Sequence, residues 1–280
     1  MPWFSPRSPW WPRGDEPVSG AEKQFVRTET IGHVAVVTVD RPPVNAFSQA
    51  VGEELAQTFE ELAGRGDVYV VILTGGDRLF SAGVDIKELN LENATDPAQA
   101  VPRNQRFENI CRSIASLKAP VIAAMNGYAL GGGCMISVYC DIRVAAEDAS
   151  FGLPEINLGG VPGSGMQRLS RLIGQGRTKL MVLTGDSIDG REAYRIGLVD
   201  VLAGPGQALP AALELAQRIA SKPPLSVQAC NQTISLGADL PLERAQAIDL
   251  LFVERVAGTE DRAESLRAFL EKRAPRLAGR

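Results

Sequence analysis

Apolar positions along the chain switch between two periods. Residues 34–39 (VAVVTV) form a β-branched run and predict a strand. Residues 48–63 repeat apolar side chains at Val51, Leu55, Phe59 and Leu62, which is helical spacing. Residues 69–73 (YVVIL) predict the next strand, closed by Thr74-Gly75-Gly76. Residues 97–117 predict a helix that ends before Pro120, and residues 121–125 and 141–145 predict two more strands. Strands separated by helices imply a buried parallel sheet with right-handed crossovers. After about residue 165 the strands nearly stop, and residues 168–173, 177–183, 190–196, 208–221, 226–235, 242–256 and 261–272 predict helices. The chain therefore divides into an α/β core, residues 25–205, and a helical region, residues 206–280.

Residues 1–24 break the pattern. They hold Pro2, Pro6, Pro9, Pro12 and Pro17, and all three tryptophans, Trp3, Trp10 and Trp11. Such proline density prevents a helix and leaves few ladder donors. No apolar stretch resembles a secretory signal, and Asp15, Glu16 and the prolines spoil a transit helix. The segment reads as a disordered arm, or as a partner-binding arm anchored by Trp10 and Trp11.

Composition narrows the chemistry. Hydrophobic residues at 45% and charged residues at 22% suit a globular core without disulfides. A net charge of -4 supplies no basic field for nucleic acid. No apolar run approaches a membrane span. The single histidine, His33, changes the picture most. Any Ser-His-Asp or Cys-His device would have to run through it, and a multi-histidine metal site is impossible. It precedes the first predicted strand and reads as a surface or strand-edge residue. Cys111, Cys134, Cys140 and Cys230 form no C-x-x-C pair, which argues against a zinc knuckle or a thioredoxin motif. They read as reduced, mostly buried thiols of a cytoplasmic protein. Residues 261–280 carry six basic and three acidic groups, which suits an anionic ligand or a solvated helix face.

Three glycine-bearing turns follow the strands: FSAGVDI (80–86), NGYALGGGC (126–134) and FGLPE (151–155), which runs on to GGVPG (159–163). In the second, successive glycines lead into a short helix predicted over 134–138. The backbone there can approach a ligand closely and aim free N–H groups at one spot. Negative charge developing at that spot would be stabilised, as an oxyanion hole requires. A plain strand–turn–helix connection is the alternative. Dinucleotide and P-loop fingerprints are missing.

The blocks FSAGVDIKEL (80–89), NGYALGGGC and FGLPEINLGGVPG (151–163) resemble the enoyl-CoA hydratase/isomerase, or crotonase, superfamily. DRPPVNA (40–46) and FLEKR (269–273) match as well, so the likeness spans residues 25–275. The resemblance implies a crotonase (ClpP-like) spiral of ββα units with a helical C-terminal trimerisation region. It implies acyl-CoA substrates and a homotrimer or dimer of trimers, with no cofactor beyond the coenzyme A of the substrate and no metal. By position, the N–H groups of Val84 and Gly132 would bind the thioester oxygen as it becomes an enolate. Val44, Ala82, Asp85, Ile86, Gly131 and Met135 would line the substrate and adenine sites. Phe269 and Lys272 would cover the CoA of a neighbouring subunit.

One departure bears on mechanism. Hydratases of this family use two glutamates, one directly after the Gly-Gly-Gly-Cys turn and one ending the Phe-Gly-x-Pro-Glu block. Here those positions are Met135 and Glu155. Methionine neither accepts a proton nor orients water as a carboxylate does. A single carboxylate still moves a proton between two carbons through an enolate, and similar Δ3,Δ2-enoyl-CoA isomerases also carry an apolar residue at this place. Double-bond isomerisation is therefore the favoured reaction, with Glu155 as base. Hydration, decarboxylation of a malonyl-type ester and non-catalytic acyl-CoA binding are the alternatives. Asp85 reads as a loop or cap group and Asp141 as a structural acid at a strand start.

Overall fold

The computed structural model describes residues 24–88, 96–163 and 165–280. The expected N-terminal arm lies outside these residues except for Gln24. The apolar runs become the middle of a six-stranded sheet. Its order is β1 (Val26–Ile31), β2 (Val34–Val39), β3 (Val70–Thr74), β4 (Val121–Met125), β6 (Ile142–Ala146) and β9 (Val201–Ala203). β1 and β2 form an antiparallel hairpin, and all later neighbours run parallel. Side chains alternate between two cores. Val37, Val71, Leu73, Ala123 and Met125 enter one, while Val36, Val70, Ile72, Ile122 and Ala124 enter the other. Burial on both faces explains why these strands read as continuous apolar runs.

Helices cover both faces. α1 (Gln49–Ala63), α2 (Pro97–Ala115) and α3 (Gly132–Ser137) contribute to the first core, α1 through Leu55 and Phe59. Ser48 starts α1 by accepting the Val51 N–H at 3.2 Å. α4 (Met166–Ile173), α5 (Gln175–Thr184) and α6 (Gly190–Arg195) follow. α7 (Ala208–Ala220) lays Ala212 and Ala216 on the second face. α8 (Pro224–Gly237), α9 (Leu242–Ala257) and α10 (Glu260–Leu270) complete the chain. α9 buries none of its residues, and its Leu250, Leu251 and Val253 are exposed. Among the described residues no helix is long and apolar enough to cross a membrane.

A second sheet is built from β5 (Tyr128–Leu130), β7 (Ser150–Gly152) and β8 (Ser187–Asp189). β4 passes through Asn126 and Gly127 into β5 and then α3, while β6 passes into β7 and the short helix Pro154–Leu158. Each of these two turns of the chain thus adds one strand to each sheet and then a helix.

Five strands escape the hydrophobic pattern. β1 is an edge strand with only Val26 buried, so its alternation carries no signal. β5, β7, β8 and β9 have three residues each, too few to show a period. Two of them lie beyond residue 165. α3 begins at Gly132, two residues earlier than predicted, because Gly131 at φ 52° has already turned the chain. α10 stops at Leu270 because Lys272 takes φ 53°. His33 is exposed in the β1–β2 turn, bonded to the Asp67 carbonyl at 2.8 Å and stacked on Tyr69. It serves no site.

Asp141 has the structural part expected of it. Its Oδ2 accepts the Val121 N–H at 2.7 Å, and its own N–H donates to the Val121 carbonyl at 2.8 Å. These bonds set the starts of β4 and β6, the strands that lead into the second and third glycine turns. Asp141→Ala leaves the Val121 N–H without an acceptor and is expected to cost about 1–3 kcal/mol. Asp141→Asn keeps an acceptor and should lose less. Urea unfolding midpoints compare the two, and equal losses would contradict this account.

Candidate active site

Two segments leave the C-terminal ends of neighbouring parallel strands, the usual place for a ligand on such a sheet. Residues 75–85 follow β3, and residues 126–131 follow β4. They are tied side by side through the Ser81–Ala129 bridge, in which Leu130 N–H donates to the Ser81 carbonyl at 3.0 Å. A second bridge joins Val84 to Phe47. Phe47 N–H donates to the Gly83 carbonyl at 2.8 Å, and Asp85 N–H donates to the Phe47 carbonyl at 3.0 Å. Between them the Val84 N–H donates to no described residue. The Gly132 N–H, at the first position of α3, is equally unbonded.

The two unbonded donors are close because side chains are missing between them. Gly83 sits at φ 97°, and a Cβ there would lie 3.0 Å from the Gly132 nitrogen and 2.8 Å from the Leu130 carbonyl oxygen. A Cβ on Gly132 would lie 3.2 Å from both Val84 Cγ2 and Phe107 Cζ.

Glu155 faces this place from the short helix Pro154–Leu158. Its Oε1 lies 2.9 Å from where a Cβ on Gly131 would stand. Its Oε2 is buried and meets no hydrogen-bond partner among the described residues. Burial pushes the Glu155 carboxyl above the usual carboxylate range, opposed by its own backbone N–H. The neighbouring Cys134 thiol is pushed up to about 12 by burial and by the Glu155 charge. It stays a neutral thiol at neutral pH.

The other expected residues divide into two groups. Met135 is only 2% exposed and packs its sulfur 2.9 Å from a Cβ position on Gly165. The Ala82 N–H donates to the Val44 carbonyl at 3.0 Å, which holds both beside the turn. Ile86 is exposed. Asp85 is buried, and its carboxylate bonds to Arg41 at 2.6 Å and to the Lys87 N–H at 3.0 Å. Phe269 and Lys272 are not brought to the turns within one chain. Phe269 is 81% exposed at the end of α10, and Lys272 is exposed just beyond it.

The comparisons fit this geometry. A family model described as enoyl-CoA hydratase/isomerase matches residues 29–280. The chain belongs to the enoyl-CoA hydratase/isomerase family. It is 40% identical over 256 residues to the short-chain-enoyl-CoA hydratase of Clostridium acetobutylicum, covering 90% of this chain and 97% of that one. It is 37% identical to the 2,3-dehydroadipyl-CoA hydratase of Escherichia coli, covering 88% and 96%. The crystal structure of an enoyl-CoA hydratase from Bacillus anthracis superimposes with a TM-score of 0.87 at 37% identity, over 92% of this chain and all of that one. The spiral of ββα turns is accordingly the crotonase fold, and the chain is an enzyme of the crotonase type.

Four residues at the family's turns carried no sequence signal of their role. Phe107 sits on α2 against Gly132 and 6.0 Å from the Phe47 ring, and the helical spacing of 97–117 does not say which face looks inward. Arg41 and Asn45 stand in a matched block without visible chemistry. Asn45, at φ 49°, donates to the Gly75 carbonyl at 2.9 Å. Ser81 Oγ donates to the Asn45 carbonyl at 2.7 Å and accepts the Gly83 N–H at 3.0 Å. Among the described residues no group of three metal-ligating side chains occurs.

The raised Glu155 pKa has a consequence for stability. The folded protein binds this proton more tightly than the unfolded chain, so it loses stability as pH rises through the folded value. Glu155→Gln removes the ionised group and should be more stable than wild type at pH 7. The advantage should vanish below about pH 4, where the unfolded carboxyl is also protonated. Thermal unfolding at both pH values measures this, and a variant less stable at pH 7 would refute it.

Proposed function

We propose that this enzyme isomerises the double bond of an enoyl-CoA, with Glu155 as its single acid/base. The carrying observation is Met135, buried at the position where two-carboxylate hydratases hold the first of their two glutamates. The other nearby carboxylate, Asp85, is committed to Arg41. Glu155 takes a proton from C2 of a 3-enoyl thioester. The electron pair moves through the thioester to its oxygen and gives a dienolate. The N–H groups of Val84 and Gly132 donate to that oxygen, each such bond being worth about 3–4 kcal/mol in the transition state. Protonated Glu155 then returns the proton to C4, and the double bond comes to rest between C2 and C3. The apolar wall that raises the Glu155 pKa makes it a stronger base than an exposed carboxylate. Val44, Ala82, Ile86 and Gly131 border the thioester and the adenine side, and Met135 contributes apolar wall.

Hydration is the second reading. The names of the relatives from Clostridium acetobutylicum and Escherichia coli favour it. Glu155 would then orient the water without a second carboxylate at position 135. Product analysis with 3-enoyl-CoA and 2-enoyl-CoA separates the two. Isomerase turnover is expected to exceed hydration and to fall about 10²–10⁴-fold in Glu155→Gln. Met135→Glu should raise hydration relative to isomerisation. Wild-type turnover in Glu155→Gln would sink the base, and faster hydration than isomerisation by wild type would sink the Met135 argument.

We also propose that the chain assembles as a trimer or a dimer of trimers. Leu250, Leu251 and Val253 on α9, with Phe269 and Leu270 on α10, form exposed apolar surface of the kind that marks an interface. In that assembly Phe269 and Lys272 cover the CoA of a neighbour. Light scattering should give three or six chains per particle, and Leu250→Asp with Leu251→Asp should lower that number. A monomeric wild type would refute the proposal.

A further inference from the structure

Arg41 reaches across the turn that carries Val84. Its Nη2 pairs with Asp85 Oδ2 at 2.6 Å, and its Nη1 donates to the Ala46 carbonyl at 3.2 Å. Its own backbone N–H donates to Asn45 Oδ1 at 2.9 Å, and its guanidinium lies 5.7 Å from the centre of the Phe25 ring. Ala46 directly precedes Phe47, whose N–H holds the Gly83 carbonyl. Asp85 directly follows Val84. One guanidinium therefore joins the residues that flank the Phe47–Val84 bridge.

The peptide between Gly83 and Val84 is the unit whose orientation matters. Its carbonyl is held by Phe47, while its N–H is unbonded. Gly83 has no Cβ to restrict rotation, so the peptide plane needs restraint from outside. On its N-terminal side Ser81 Oγ holds the Gly83 N–H and the Asn45 carbonyl. On its C-terminal side the Arg41–Asp85 pair performs the matching task. Asp85 is buried, and its carboxylate also accepts the Lys87 N–H, so it is occupied by the turn itself.

We infer that Arg41 is a positioning residue that acts through Asp85 to aim the Val84 N–H at the thioester oxygen. The inference rests on the proposed role of that N–H as an oxyanion donor. A donor displaced by about 1 Å costs on the order of 10²-fold in rate, so the effect belongs in kcat more than in KM.

The test uses butyryl-CoA labelled with carbon-13 at its thioester carbonyl, a saturated ligand with no double bond to hydrate or shift. Isotope-edited infrared spectroscopy reads the carbonyl stretch on the full chain, which falls as hydrogen bonds to the oxygen strengthen. Wild type should lower this frequency relative to free ligand. Arg41→Ala should lose much of the lowering, with kcat reduced about 10–100-fold and KM little changed. Arg41→Lys keeps a charge for Asp85 and should recover part of both. Asp85→Asn should follow Arg41→Ala in direction and serves if that variant does not fold. A wild-type carbonyl frequency in bound Arg41→Ala overturns the inference and leaves the Val84 donor in place, whatever happens to its melting temperature. No lowering in wild type overturns the donor role, and the inference with it.

Discussion

Two stretches of main chain pass each other with no room for a side chain between them. Gly83 on one would drive a Cβ to 3.0 Å from the Gly132 nitrogen on the other, and Gly133 would drive one to 2.6 Å from the Ser81 carbonyl oxygen. This contact sets everything around it. It sets the Gly83–Val84 peptide against Gly132, the first residue of α3, so that the two N–H groups without a described partner lie on neighbouring stretches of main chain. Gly131, at φ 52°, leaves space beside it that the Glu155 carboxylate enters. The sheet underneath serves this contact, because parallel strands β3 and β4 deliver both segments at the same edge.

The electrostatics around the contact are uneven in an informative way. Asp85 and Glu155 are both carboxylates near the turns. Asp85 is bonded by Arg41 and by a backbone N–H, so its charge is compensated. Glu155 keeps one buried oxygen with no hydrogen-bond partner among the described residues. The buried Cys134 thiol, which feels the Glu155 charge, stays neutral and brings no charge of its own.

Much of this was legible in the residues. The strands buried on both faces announced themselves as apolar runs, and the glycine blocks marked the turns that meet. The resemblance added the family, which the comparisons bear out. Short strands stayed invisible, because three residues show no period and because edge strand β1 buries one side chain. The partners of the turns were also hidden. Nothing in the spacing of Arg41 and Asp85, 44 residues apart, says that they touch. Phe107 needed the packing of α2 to reveal its inward face. Long-range pairing is a property of the folded path, and local pattern does not encode it.

The unbonded donors are main-chain groups, and that changes what mutation can do to them. A side-chain substitution at position 84 alters bulk and access but keeps the N–H, and among the twenty residues only proline removes it. Substitution at position 84 itself therefore leaves its donor in place, and only changes at the residues around it, such as Gly83 or Arg41, can move it. The chemistry proposed for positions 135 and 155 is held by side chains and changes with one codon. In the proposed mechanism, a lineage built on this frame can exchange one reaction for another while keeping both main-chain donors to the thioester oxygen.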